Sequence, residues 1–128
     1  MKNDFSEIQS EIDAMQPDLV RIRRDLHRHP ETGWLEMRTT AILAKELRAL
    51  GYEIYTGRLV CKEGARLGLP DAQVLAAHAE QALAQGAPED ELTADVRAGY
   101  TGVIAILRCG EGPTVAMRFD IDALPMTE

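Results

Sequence analysis

The sequence points to an α/β domain, on three observations. Apolar residues recur at helical spacing from Phe5 to Leu26. A second helical stretch, Glu36 to Leu50, runs through Gly51 straight into the alternating Tyr52-Glu-Ile-Tyr55, and helix into strand through a glycine is α/β grammar. The last stretch, Pro113 to Glu128, alternates with period two from Val115 to Asp122. At 128 residues the chain has the length of one ordinary domain, enough to bury a real core.

The first element is fixed by Phe5, Ile8, Ile12, Met15, Leu19, Ile22 and Leu26, spaced 3-4-3-4-3-4 as one stripe. Pro17 falls inside it, but the stripe keeps its phase, which predicts a single helix kinked there. The stripe is too short for a sustained coiled coil, so packing on a sheet is its expected use. Arg21, Arg23, Arg24 and Arg28 lie off the stripe and suit a solvated face near a helix C-terminus. His27 and His29 are about 200° apart around a helix and cannot share one metal from it. They are expected to cap the helix end or to pack. Glu31-Thr-Gly-Trp-Leu35 follows as a turn, with Trp34 and Leu35 plugging a gap between helices.

In the second helix Ile42, Leu43, Leu47 and Leu50 are the expected buried side, with Gly51 just past its end. Residues 60–98 then change character and read as a helical insertion lying on the surface. Ala65 to Pro70 is loop-like, Asp71 to Gln85 is an alanine-rich helix, Gly86-Ala-Pro88 breaks it, and Glu89 to Val96 suits a short helix. His78 is expected there as an exposed helical residue. Thr101 to Arg108 reads as a strand apolar on both faces, and so central. Cys109-Gly-Glu-Gly-Pro113 is a tight turn that would join it to the final strand as a β-hairpin. With no Lys-Ser/Thr and no helix after them, these glycines do not make a phosphate loop.

Composition narrows the function. The apolar fraction of 45% and charged fraction of 27% are those of a soluble globular protein. A net charge of −7 argues against nucleic acid or an anionic membrane as the main partner. No apolar run approaches the roughly 20 residues of a membrane span. Met1 to Ile8 lacks the apolar core of a secretion signal. Cys61 and Cys109 are too few and too distant for a disulfide framework or a metal knuckle. Both are expected to pack as small hydrophobes in a reducing cytoplasm.

Chemistry is expected at the final strand. Val115, Met117, Phe119 and Ile121 share one face; Ala116, Arg118, Asp120 and Asp122 share the other. Same-face neighbours on a strand lie about 6.7 Å apart, so Asp120 and Asp122 would stand together at its C-terminal end. Open α/β sheets place ligands at that end. Two acids there require neutralisation by Arg118, a metal, or a retained proton. The plain alternative is a solvated strand end with an Arg–Asp pair.

Several stretches in order resemble a known family. They are Arg24-Asp-Leu-His-Arg-His-Pro-Glu-Thr-Gly-Trp-Leu-Glu36, the helix end Leu47-Arg-Ala-Leu-Gly-Tyr52, Gly102-Val-Ile-Ala105, and Gly112-Pro-Thr-Val-Ala-Met-Arg-Phe-Asp-Ile-Asp-Ala-Leu-Pro125. Together they resemble the opening of the aminoacylase/carboxypeptidase-type metallopeptidases, in the amidohydrolase branch that acts on N-acyl amino acids. Gly-Trp-x-Glu and the helical insertion are similar to the A-type subunits of aminobenzoyl-glutamate hydrolases.

The resemblance implies the first portion of a three-layer α/β/α catalytic domain. It also implies two divalent metals, zinc or manganese, that polarise an amide carbonyl and activate a water with a glutamate as base. Asp122 matches the family's aspartate that orients a metal-binding histidine. Asp120 stands where many relatives carry a histidine ligand, and whether it touches metal is left open by that departure. The remaining ligands and the lid or dimerisation domain lie beyond Glu128 in the family. The polypeptide alone is therefore expected to bind metal weakly and to lack amidase activity. The expected partners are a small N-acyl amino acid and either a B-type subunit or further copies, with no nucleic acid and no membrane. Strands lacking neighbours would favour association or instability.

Two other readings compete. A haloacid-dehalogenase-like phosphatase also uses Asp-x-Asp after an apolar strand, with Asp120 and Asp122 as nucleophile and acid/base. There Gly-Thr normally follows, and here Ala123-Leu124 does. The other reading is a non-catalytic interaction module whose Phe5–Leu26 stripe pairs with a partner helix.

Overall fold

The computed structural model describes residues 5–126. Met1 to Asp4 of the N-terminal reading, and Thr127 and Glu128 of the final stretch, lie outside them. Two compact units are present, residues 1–30 and 31–128.

The first unit is helix α1, Ser6–Arg28. It is one helix with Pro17 inside, as the unbroken phase of the stripe predicts. None of its residues is buried, so water can satisfy the carbonyl that Pro17 cannot bond. At its end the His29 N–H donates to the Leu26 carbonyl at 3.1 Å. The His29 ring Nδ1 lies 2.9 Å from the Asp25 carbonyl. His29 thus closes the helix, as expected of it.

The second unit has helices α2 (Met37–Ala49), α3 (Ala72–Ala84) and α4 (Ala94–Arg97), and strands β1 (Glu53–Tyr55) and β2 (Ile104–Ile106). A short 3-10 turn spans Gly57–Leu59. The fold is α/β, mixed helices with a small two-stranded sheet. β1 and β2 pair antiparallel with Ile54 opposite Ala105.

Local chemistry sets the boundaries. α2 ends where Gly51 takes φ +86°, with its N–H bonded to Arg48 and the Tyr52 N–H reaching back to Leu47. That paired closure needs a left-handed residue, and glycine adopts it at least cost. α3 starts on Asp71, whose carboxylate accepts from the Gln73 and Val74 N–H groups at 3.0 and 2.9 Å. α4 starts on Thr93, whose hydroxyl accepts from Val96 at 3.3 Å.

The core runs between α2, α3 and α4: Met37, Ala41, Leu75, Ala79, Ala82, Ala87, Leu92 and Val96. One expectation is corrected here. The buried side of α2 is Met37, Thr40, Ala41 and Ala44, while Ile42, Leu43 and Leu47 are half-buried and Leu50 is 69% exposed. Ala41 on α2 shares one buried cluster with Ala79 and Ala82 on α3. The α3 helix lies at the surface with Gln73, Val74, Glu80 and Gln81 exposed, while its inner face, Leu75, Ala79 and Ala82, forms one wall of the core.

The loops around α3 are pinned by polar contacts. Arg48 makes a two-point bond to the buried Glu91, at 2.8 and 3.1 Å. Arg66 stacks on the ring of buried Tyr100, its guanidinium carbon 3.5 Å from the centroid, with Arg58 at 4.4 Å. The Trp34 indole N–H donates to the Leu67 carbonyl at 2.7 Å. Trp34 therefore ties the turn to the 65–70 loop.

The predicted β-hairpin is not formed. β2 has β1 as its partner, and residues 107–126 carry no regular secondary structure. A strand takes its backbone bonds and its preferred face from neighbours. Val115, Met117 and Phe119 find no apolar cover among the described residues and are largely exposed. Alternation alone cannot hold the segment in a sheet. Cys109, expected to be packed, is exposed on the same segment, while Cys61 is half-buried. No described helix is long and apolar enough to cross a membrane.

Candidate functional site

Glu31 is the residue around which the site is built. Its side chain is only 1% exposed. A carboxylate so buried must spend its lone pairs on donors. One oxygen accepts from the Arg38 N–H at 2.9 Å, and the other from the Thr39 N–H at 2.7 Å. These are unpaired donors of the first turn of α2, where the helix end also favours negative charge. His78 on α3 completes the set, its Nε2 lying 3.1 Å from the Glu31 carboxylate. His78 is therefore no exposed helical residue; its side chain is 14% exposed and holds α3 to the start of α2.

The same residue holds the C-terminal segment. The Glu31 carbonyl accepts from the Ala123 N–H at 2.7 Å. From Leu107 to Met126, only Ile121 and Ala123 are other than exposed. The segment thus touches the folded body around Asp122. A parallel set of bonds fixes the entry to β2. Thr101 donates its hydroxyl proton to the buried Glu36 at 2.7 Å, and the Gly102 N–H donates to the Thr40 hydroxyl at 2.9 Å.

Asp120 and Asp122 do not stand on a strand end, because that strand is absent. Both are exposed. Arg118 donates to Asp120, so the cation in the pattern neutralises the nearer acid. The two histidines of Arg24-Asp-Leu-His-Arg-His29 lie in the other unit, and His29 is occupied with its own helix end. The described residues hold no group of three or more His, Cys, Asp or Glu side chains placed to take a metal ion. Among the described residues, the donors placed together fall short of the four-coordinate shell that a protein-bound zinc takes.

Glu31, His78 and Ala123 were not singled out from the sequence as parts of a site. Glu31 lies seven residues before Arg38, outside the usual three-residue capping spacing, and His78 lies 47 residues from its partner. Neither separation leaves a local signal.

No family model matches the chain. Curated relatives do. The chain is 43% identical over 118 residues to the indole-3-acetyl-aspartic acid hydrolase of Enterobacter agglomerans. It is 42% identical over 118 residues to the A-type subunit of the Escherichia coli p-aminobenzoyl-glutamate hydrolase. Each match covers 91% of this chain and 27% of the relative. A crystal structure of the aminobenzoyl-glutamate utilization protein from Klebsiella pneumoniae matches with a TM-score of 0.87 at 44% identity. That match covers 91% of this chain and 30% of the solved one. The chain spans about a quarter of the length of the curated relatives it matches, and across that quarter its resemblance to the amidohydrolases is borne out in both sequence and fold.

Proposed function

We propose that this chain supplies one part of an amidohydrolase that cleaves the amide between an acyl group and an acidic amino acid. The observation that supports this reading is the match along 91% of the chain to two hydrolases whose named substrates, indole-3-acetyl-aspartic acid and p-aminobenzoyl-glutamate, share that bond. In the whole enzyme the chain contributes to a three-layer α/β/α domain. The exposed row Val115, Met117, Phe119 becomes a strand there once it has neighbours. Asp122 belongs to the catalytic centre, with Asp120 beside it. Two divalent metals, zinc or manganese, are part of the same reading. Their remaining donors come from outside this chain, so the isolated polypeptide is inactive. A second kind of subunit or further copies of the enzyme complete the assembly. The phosphatase reading expects Gly-Thr after Asp-x-Asp where this chain has Ala123-Leu124, and the relatives matched are named as hydrolases of N-acyl amino acids, so it falls behind.

A graft tests this. The matching segment of the Escherichia coli hydrolase is replaced by this chain, and release of p-aminobenzoate is followed. The graft is expected to hydrolyse the amide, and Asp122→Asn in it to lower kcat at least about 100-fold, a loss of roughly 2.7 kcal/mol in transition-state stabilisation. A folded graft without activity, or an Asp122→Asn graft as active as its parent, would overturn the proposal. So would turnover by the isolated 128-residue chain.

A further inference from the structure

We infer that Glu31 and His78 form a positioning pair that fixes the Asp122 segment through the Ala123 N–H. The functional meaning of this pair rests on the reading of Asp122 given above, while its geometry stands by itself.

The Glu31 side chain and its carbonyl share one Cα. Three bonds to the carboxylate, from the Arg38 N–H, the Thr39 N–H and His78, fix the side-chain torsions and with them the orientation of that Cα. The carbonyl is aimed by rotation about Cα–C, and the bonds to Arg38 and Thr39 restrain that rotation by closing residues 31–39 into a loop. The carbonyl points at the Ala123 N–H, 2.7 Å away. The tether is therefore as well oriented as the carboxylate on the far side of the same residue. His78 is the contact that is not local: the two backbone donors belong to the helix that follows Glu31, whereas His78 comes from α3, built from the 60–98 stretch.

The consequence is a role for that stretch beyond packing. It reaches back with one imidazole N–H to the residue that holds the tail. His78 touches neither Asp120 nor Asp122, so it acts through Glu31. The proton must sit on Nε2 for the ring to donate, and the bond is 3.1 Å in a place where the carboxylate has no access to water. Removing the donor leaves a buried carboxylate with one oxygen lone pair unmet. The side chain then has reason to shift, which loosens the 31–39 loop and with it the aim of the carbonyl.

Amide hydrogen exchange read residue by residue by NMR on the full 128-residue chain tests this. In His78→Ala the Ala123 amide is expected to exchange about 10-fold faster, while the amides of β1 and α4 keep their rates. His78→Gln, which keeps an N–H donor of similar reach, should restore protection at Ala123. A purely structural role would instead speed all amides of the unit together. An unchanged Ala123 rate, or a uniform rise without rescue by glutamine, overturns the inference. Should His78→Ala fail to fold, Glu31→Gln gives the same readout, because it keeps the side-chain shape but turns one accepting oxygen into a donating NH2. The graft described above separates this from the reading of Asp122. A lower kcat of the His78→Ala graft, together with faster Ala123 exchange in the His78→Ala chain, supports both. An Asp122→Asn graft as active as its parent, together with the expected loss of Ala123 protection, leaves the positioning pair standing and counts against the reading of Asp122.

Discussion

The α2–α3 layer and the segment 107–126 make opposite use of their apolar residues. The layer is lined mostly by alanine, with Met37 and Leu75 as its large side chains, and these are buried. The segment carries Val115, Met117, Phe119, Leu124 and Met126, and all of them are exposed. By hydrophobicity alone the segment would be the core. Burial follows the presence of a facing surface, and alanine against alanine provides one at close range, whereas a lone alternating row does not.

Substitutions sharpen this contrast. Leu75→Ala empties a site in the layer and is expected to cost about 3 kcal/mol, within the usual range for a buried leucine. Urea denaturation monitored by circular dichroism would measure it. Gly99→Ala comes next. Gly99 has φ +78°, and a Cβ there would lie 2.9 Å from Leu69 and 3.0 Å from Leu75. The left-handed backbone and the overlap together should cost about 2 kcal/mol. Asp71→Ala removes the N-cap of α3 and should cost about 1 kcal/mol in the same assay. Phe119→Ala is the smallest, below about 0.5 kcal/mol, because a ring 75% exposed loses little on truncation. A cost for Phe119→Ala equal to that of Leu75→Ala would erase the distinction between the two regions.

Much of the layout was legible in the sequence. The 3-4 spacing from Phe5 to Leu26 marks α1, and its phase across Pro17 correctly favours one helix. Gly51 and Asp71 mark ends through chemistry confined to a few residues. What failed depended on contacts far along the chain. The spacing assigns the buried face of α2 to Ile42, Leu43, Leu47 and Leu50, yet Met37, Thr40, Ala41 and Ala44 are buried, and Ala41 shares its cluster with Ala79 and Ala82 of the partner helix. The alternation of 115–122 was read as a strand, but a strand is a relation between segments, and β2 pairs with β1. For the site, Asp120 and its neutralising Arg118 could be paired on paper because they are two residues apart. Glu31 and His78 could not, since nothing local in Glu31-Thr-Gly or Ala-His-Ala announces a bond across 47 residues.

Helix α3 has one more implication, for anyone shortening this protein. Its stretch reads as an ornament that a designer would clip to reach a minimal scaffold. Yet Leu75, Ala79 and Ala82 close off Met37 and Ala41 from solvent, and His78 grips Glu31. Clipping residues 60–98 would strip the inner wall from the helix that remains and leave a molten remnant rather than a smaller version of the same architecture.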